Sequence, residues 1–324
     1  MDATVKTLQQ AIRYFSDENV CIDAVANLRW PDGIPTCPKC IGKDHYYLAT
    51  QKRWKCKACG RQFSVKVGTI FEDSPIPLDK WLTALWMLIN CKNGVSSYEI
   101  AKAIGITQKS AWFVLHRLRF ALRDRSFTKL GGTESGPVEV DETFIGGNLK
   151  NMHKEKRARY NIIAGSKGKT IVMGMLDRDV RKVRAKVIPN VKRETLQKEI
   201  LSTIKRGSKV YTDEWYGYSE VRYRFVHDVV NHSETYVKGQ VHTQGIENFW
   251  ALLKRTLRGT YVAVEPFHLD RYLDEQVFRY NHRKGEDGKK MTDADRFNAA
   301  LPGIAGRRLT FAELTGKDGS PESF

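Results

Sequence analysis

The chain has 324 residues, enough for two or three domains with a sizeable core, and its 41% hydrophobic and 10% aromatic content excludes a disordered chain. Its 54 Lys and Arg against 37 Asp and Glu give a net charge of +17, which points to a polyanionic partner, nucleic acid ahead of an anionic membrane. The densest apolar run, Trp81 to Ile89, is far too short to span a bilayer, and the N-terminus lacks a basic-then-apolar signal pattern, so no membrane partner is expected.

Residues 1–34 read as a helical lead-in. Ala11, Ile12 and Phe15, then Ala24, Val25 and Leu28, recur at helical spacing, with a break near Ser16–Asn19 and a turn at Trp30-Pro31-Asp32-Gly33. Residues 35–70 carry Cys37-x2-Cys40 and, fifteen residues on, Cys56-x2-Cys59. Each pair can turn two thiolates toward one tetrahedral ion, and four thiolates leave no open position, so the spacing predicts a structural Zn²⁺ in a zinc ribbon. A redox role for one pair is the weaker alternative, since that motif belongs on a βαβ unit. Free thiolates also imply a reducing compartment. Tyr46–Leu48 and Arg53–Lys55 read as the two strands of a hairpin. Lys39, Lys43, Lys52, Arg53, Lys55, Lys57 and Arg61 give this segment a basic surface, suited to phosphates or simply to solvent. Cys21 and Cys91 read as buried small hydrophobes.

Residues 71–125 read as a helical module. Asp79–Asn90 has a broad apolar face. Ser96 with Glu99 forms a capping-box pattern, Gly105 suits a turn, and Thr107 can cap a second helix over Gln108–Leu122. Two short helices about a glycine turn make a helix-turn-helix pattern, which plain bundles share. Gln108, Lys109, Ser110, Trp112, His116 and Arg117 on the second helix are candidate DNA contacts. The Gly/Ser/Thr-rich stretch 126–137 reads as a domain boundary.

Residues 137–284 alternate strands and helices. Val138–Phe144 alternates as a half-buried strand does, with Asp141 on the side opposite Val140 and Glu142 turned away. Lys209–Asp213 is a second strand ending in an acid, preceded by a helix over Arg193–Arg206; Glu214 follows it. Glu247 lies in a helix over Thr243–Arg255 whose apolar face is Ile246, Phe249, Trp250 and Leu253. Lys254 is two turns beyond Glu247 on the same face. Three carboxylates from separate elements can hold two Mg²⁺ or Mn²⁺ ions against a phosphodiester. Lys254, Arg255 and Arg258 are candidate DNA contacts beside them. His232 and His242 read as ordinary polar loop residues, with DNA contact the alternative, and Lys150–Tyr160 as an exposed basic loop that suits DNA equally well. Residues 285–324 read as a C-terminal helical segment, with a Thr292/Asp295 capping box, and a polar tail from Lys317.

In these ordered features the chain resembles insertion-sequence transposases of the IS1595 type, the ISXO2-like group. The resemblance rests on Arg29–Gly33 before Cys37-Pro-Lys-Cys40, Arg61–Val65 with Gly68–Phe71, Val140–Thr143 with Gly146-Gly147, and Tyr211–Asp213 with Tyr216. It continues through Val230–Ser233, Ile246-Glu247 with Phe249-Trp250 and Leu253–Arg255, and Phe278–Asn281. It implies a multidomain α+β protein: zinc ribbon, helix-turn-helix module and RNase H-like α/β catalytic domain. The implied acidic triad is Asp141, Asp213 and Glu247, with Asn248 the alternative at the third position. The implied activity is cleavage of the element's ends and strand transfer into target DNA. The partners would be terminal inverted repeats, target DNA and a second copy or larger synaptic assembly, in the cytoplasm of a bacterium at the nucleoid. A non-catalytic DNA-binding regulator and a nuclease or resolvase that only hydrolyses are the alternatives.

Overall fold

A computed structural model of the chain describes residues 5–146, 169–213, 218, 221, 224–230 and 242–317. Glu214, Lys150–Tyr160, His232 and the tail beyond Lys317 lie outside the described residues. The chain divides into two units, one running to Arg123 and resuming at His282, the other Asp124–Asn281. The sequence reading treats 35–70, 71–125 and 285–324 as separate segments; the structure groups them in the first unit.

That unit begins with α1 (Leu8–Phe15), whose Thr7 and Gln10 form a capping box, and α2 (Glu18–Arg29), capped by Asp17. Three antiparallel strands follow, β1 (His45–Leu48), β2 (Arg53–Cys56) and β3 (Gln62–Phe63). Trp54 packs against Trp30, Tyr47 and Phe63, so the small ribbon has an aromatic core beside its cysteines. The next helix, α3 (Leu78–Asn90), buries Trp81, Leu82, Leu85, Trp86 and Leu88. The Ser96/Glu99 capping box starts α4 (Ser97–Ile104), Gly105 ends it at φ +62°, and Thr107 caps α5 (Gln108–Leu122).

The C-terminal residues return to this bundle as α9 (Asp293–Ala300) and α10 (Phe311–Leu314). Phe297 packs on Phe15 and Trp86, with ring centroids 5.3 and 5.7 Å away. The backbone at Gly303 runs so close to α5 that a Cβ there would sit 1.9 Å from the Ala121 carbonyl. Arg307 donates to the carbonyls of Ala121 and Arg123, which the end of α5 leaves open.

This covering corrects the reading of α5. His116 and Arg117 are buried, not presented to DNA. The His116 ring lies 4.3 Å from that of Trp112, and Arg117 donates to the carbonyls of Leu309 and Glu72 at 2.9 and 2.7 Å. Side chains from Val114 to Arg119 are all interior, and the one exposed side chain of α5 is Lys109 in its first turn. There Lys109 is exposed above the Phe311 ring, Gln108 donates to Ser97, and Ser110 and Trp112 are half-buried.

In the second unit a five-stranded sheet has the order β6-β5-β4-β7-β8. The strands are β4 (Val138–Ile145), β5 (Thr170–Asp177), β6 (Lys182–Ile188), β7 (Lys209–Asp213) and β8 (Val226–Val230). The first three form an antiparallel meander, while β7 and β8 run parallel to β4. Read from the first strand the order is 3-2-1-4-5, the RNase H-like arrangement. On one face Val138, Val140 and Val210 pack with Leu196 and Ile200 of α6 (Arg193–Thr203). On the other, Val172 and Leu176 pack with Ile246, Phe249, Trp250 and Leu253 of α7 (Gln244–Thr256) and with Leu269 and Leu273 of α8 (Leu269–Asn281). The unit starts before residue 137, because Leu130 exchanges backbone hydrogen bonds with Thr203 and Lys205.

Replacing a buried charged donor that serves two carbonyls should cost about 2–3 kcal/mol. Arg117→Ala is therefore expected to lower stability by that amount in urea denaturation. Lys109→Ala is expected to stay within about 0.5 kcal/mol. Equal, small effects would return Arg117 to the surface.

Candidate active site and metal centre

The ribbon cysteines converge. The Sγ atoms of Cys37, Cys40, Cys56 and Cys59 all lie within 4.8 Å of one another. Cys37 is 3.6 Å from Cys59 and Cys40 is 3.5 Å from Cys56. These separations are far beyond a disulfide bond and near the roughly 3.8 Å edge of a tetrahedron with 2.3 Å metal–sulfur bonds. The turns that bring them together use left-handed backbone at Ile41 and Gly60. Among the described residues this is the one group of three or more ligating side chains drawn that tightly. Cys21 is buried, with burial pushing its thiol up to about 12, whereas Cys91 is only half-buried.

The acids lie in the second unit. β4 alternates, so Glu139 and Asp141 share the face covered by α7 while Glu142 turns to the other. β7 pairs in parallel with β4, Val138 with Val210 and Glu139 with Tyr211, and Asp141 and Asp213 each lie two residues beyond the last of these pairs. Glu247 stands in the first turn of α7, exposed, and accepts a hydrogen bond from Thr243 at 2.8 Å. The three acids are spaced more widely than the cysteines. They are nevertheless one electrostatic cluster. Burial pushes the Asp141 carboxyl up to about 6, the charges of Asp213 and Glu247 add to the rise, and a hydrogen bond from Trp250 opposes it. Carboxylate oxygens on three elements are the kind of donor that hard divalent ions take. Lys254 follows on α7, half-buried; Arg255 and Arg258 are exposed, and Asn248 is exposed beside Glu247.

Sequence reasoning missed Glu139. It is buried, pairs with Arg178, and accepts the backbone N–H of Ile246 at 2.8 Å. Thr243, the residue before α7, makes no side-chain cap, so this carboxylate from β4 serves the helix N-terminus instead. Gly245 makes the approach feasible, because a Cβ there would lie 2.9 Å from Glu139 Oε2. Arg178 also donates to the His242 carbonyl at 2.6 Å and contacts its ring nitrogen, so His242 belongs to this anchor. The readable signal was two acids at i and i+2 on one covered strand face. Tyr218 donates to Glu142 on the opposite face; burial drives Glu142 up to about 8, with Asp141 and Asp213 adding to the shift.

Residues 133–281 match the ISXO2-like transposase domain, and residues 16–62 match the transposase zinc-ribbon domain. An uncharacterized transposase-like protein of Haemophilus influenzae is 34% identical over 102 residues, 31% of this chain and 82% of that protein. The chain belongs to the ISXO2-like transposase family of the IS1595 type. An uncharacterized protein in transposable element ISH50 of Halobacterium salinarum is 26% identical to this transposase-family chain over 260 residues, 76% of it and 85% of the relative. A chain from the cryo-EM structure of the simian T-cell lymphotropic virus intasome in complex with PP2A regulatory subunit B56 gamma has a TM-score of 0.31 and 13% identity. It covers 62% of this chain and 70% of its own. No helix among the described residues is long and apolar enough to cross a membrane.

Two outcomes follow. Removing one partner of a buried ion pair costs about 3–5 kcal/mol. Glu139→Ala should therefore lower stability by roughly that much in urea, and a change below 1 kcal/mol would exclude the anchor. Separately, the folded-state values of Asp141 and Glu142 lie above the ordinary carboxylate range, so the folded state binds protons first. Their contribution is fully present below about pH 4 and falls as pH rises through about 6 and then about 8. Without added divalent ions, Asp141→Asn with Glu142→Gln should flatten the decline of the thermal midpoint between pH 4 and 8; an unchanged slope would contradict it.

Proposed function

We propose that the protein is a DNA transposase that cleaves the ends of its insertion sequence and joins them to target DNA. The observation that supports this reading most is the match of residues 133–281 to the ISXO2-like transposase domain over a sheet of order 3-2-1-4-5, with Asp141, Asp213 and Glu247 carried on β4, β7 and α7. On this reading Asp141, Asp213 and Glu247 hold two Mg²⁺ or Mn²⁺ ions. When bound, the pair activates water and stabilises the attacking and leaving oxygens of a phosphodiester. Lys254 holds the DNA backbone two helical turns from Glu247, and the exposed Arg255 and Arg258 extend the basic surface. Water opens the phosphodiester in line, leaving a 5′-phosphate and freeing a 3′-OH; that hydroxyl then attacks a target phosphodiester, whose own 3′ oxygen leaves as a hydroxyl, without a covalent protein–DNA intermediate.

Cys37, Cys40, Cys56 and Cys59 hold Zn²⁺, which shapes the ribbon and does no chemistry, since four thiolates complete its coordination. The ribbon's lysines and arginines and the start of α5, with Lys109 exposed and Gln108, Ser110 and Trp112 half-buried, face the terminal repeats. Two element ends must be brought together, so the working form is a dimer or larger assembly.

The test is labelled element-end DNA with target DNA and Mg²⁺. The full chain should yield both cut and joined strands. Asp141→Asn, Asp213→Asn and Glu247→Gln should each lower joining by more than about 100-fold, beyond what an outer-shell change does. Asn248→Ala should retain it, and the reverse result would move the third ligand to Asn248. Cut but never joined DNA would make the protein a nuclease or resolvase, and binding without metal-dependent cutting would make it a regulator.

A further inference from the structure

Trp250 is read from the sequence as one more apolar residue of α7, and most of its ring does pack in the core, beside Phe249 at 5.1 Å. Its one polar atom does something else. Nε1 donates to Oδ2 of Asp141 at 2.9 Å. A buried indole N–H needs an acceptor, and a backbone carbonyl would serve as well; here the acceptor is a carboxylate of the acidic cluster. The ring reaches it across β5 at Gly174, the residue paired with Asp141 in the sheet. A Cβ on Gly174 would lie 2.5 Å from two carbons of the indole ring. Nothing larger than glycine fits under the ring in this pose, and its φ is not of the left-handed kind that would account for glycine by itself.

We propose that Trp250 and Gly174 are positioning residues for Asp141, the indole fixing the rotation of the carboxylate and the bare β5 backbone fixing the indole. The chemistry of the donor suits the task. An indole N–H only donates, so it cannot reverse roles as an amide or hydroxyl can, and Oδ2 keeps a lone pair while Oδ1 is not engaged by the indole. Carboxylates that hold metals are themselves held by outer hydrogen bonds, and losing such a partner costs 10–100-fold in metal affinity or activity. The proposal rests on the reading of Asp141 as a metal ligand.

The experiment uses the zinc-supplied full chain and Mn²⁺ alone, with bound ion measured by electron paramagnetic resonance. Trp250→Phe keeps the aromatic packing and removes the donor. Gly174→Ala keeps the donor and displaces the ring. Each is expected to weaken Mn²⁺ binding about tenfold or more, with the thermal midpoint of Trp250→Phe within a few degrees of the parent. Asp141→Asn is titrated alongside. If it loses Mn²⁺ while Trp250→Phe binds as the parent does, the metal reading stands and the positioning proposal is overturned. If Asp141→Asn itself binds Mn²⁺ as the parent does, the metal reading fails and the proposal with it. Should Gly174→Ala fail to fold, Trp250→Phe decides alone.

Discussion

A strand face covered by a helix ordinarily carries aliphatic side chains, yet on β4 that face carries Glu139 and Asp141. Both carboxylates are taken largely out of water, and each must be compensated locally. Glu139 is compensated by Arg178 and by the N-terminus of α7. Asp141 receives one indole hydrogen bond and faces the charges of Asp213 and Glu247, which make its ionised form more costly. The contrast separates a carboxylate that holds the fold from one left short of positive charge, and on the proposed function the second is where a cation would stabilise the most.

The two roles are mechanically connected. Glu139 secures the start of α7, and α7 carries Glu247 in its first turn, Trp250 against the sheet and Lys254 two turns on. Gly245 and Gly174 remove the side chains that would hold this helix away from β4 and β5. The elements that carry the acids, β4, β7 and α7, are therefore joined by direct hydrogen bonds and strand pairing. On the proposed function, such direct connections would help hold the carboxylates in place.

Much of this was legible in the sequence because the signals are local. The Ser96/Glu99 and Thr292/Asp295 boxes mark helix starts, the cysteine spacing marks the ribbon, and alternation along Val138–Phe144 separates Asp141 from Glu142. What was not legible depends on partners distant along the chain. His116 and Arg117 look like a polar face of a recognition helix, but residues near Leu309 and Glu72 enclose them. Glu139 looks like a solvent-facing strand residue until α7, about a hundred residues on, covers it. Trp250 reads correctly as apolar, while the direction of its single N–H is set only by tertiary packing. The early start of the second unit was not legible because it depends on Leu130 pairing with Thr203, at the end of α6, and with Lys205.

The most direct measurement is the anomalous scattering of Mn²⁺ in crystals of the full chain with DNA. Manganese peaks are expected at coordination distance from carboxylate oxygens of Asp141 and Asp213, with Glu247 completing the shell. Manganese bound elsewhere, with the three carboxylates turned to separate surfaces, would contradict that expectation.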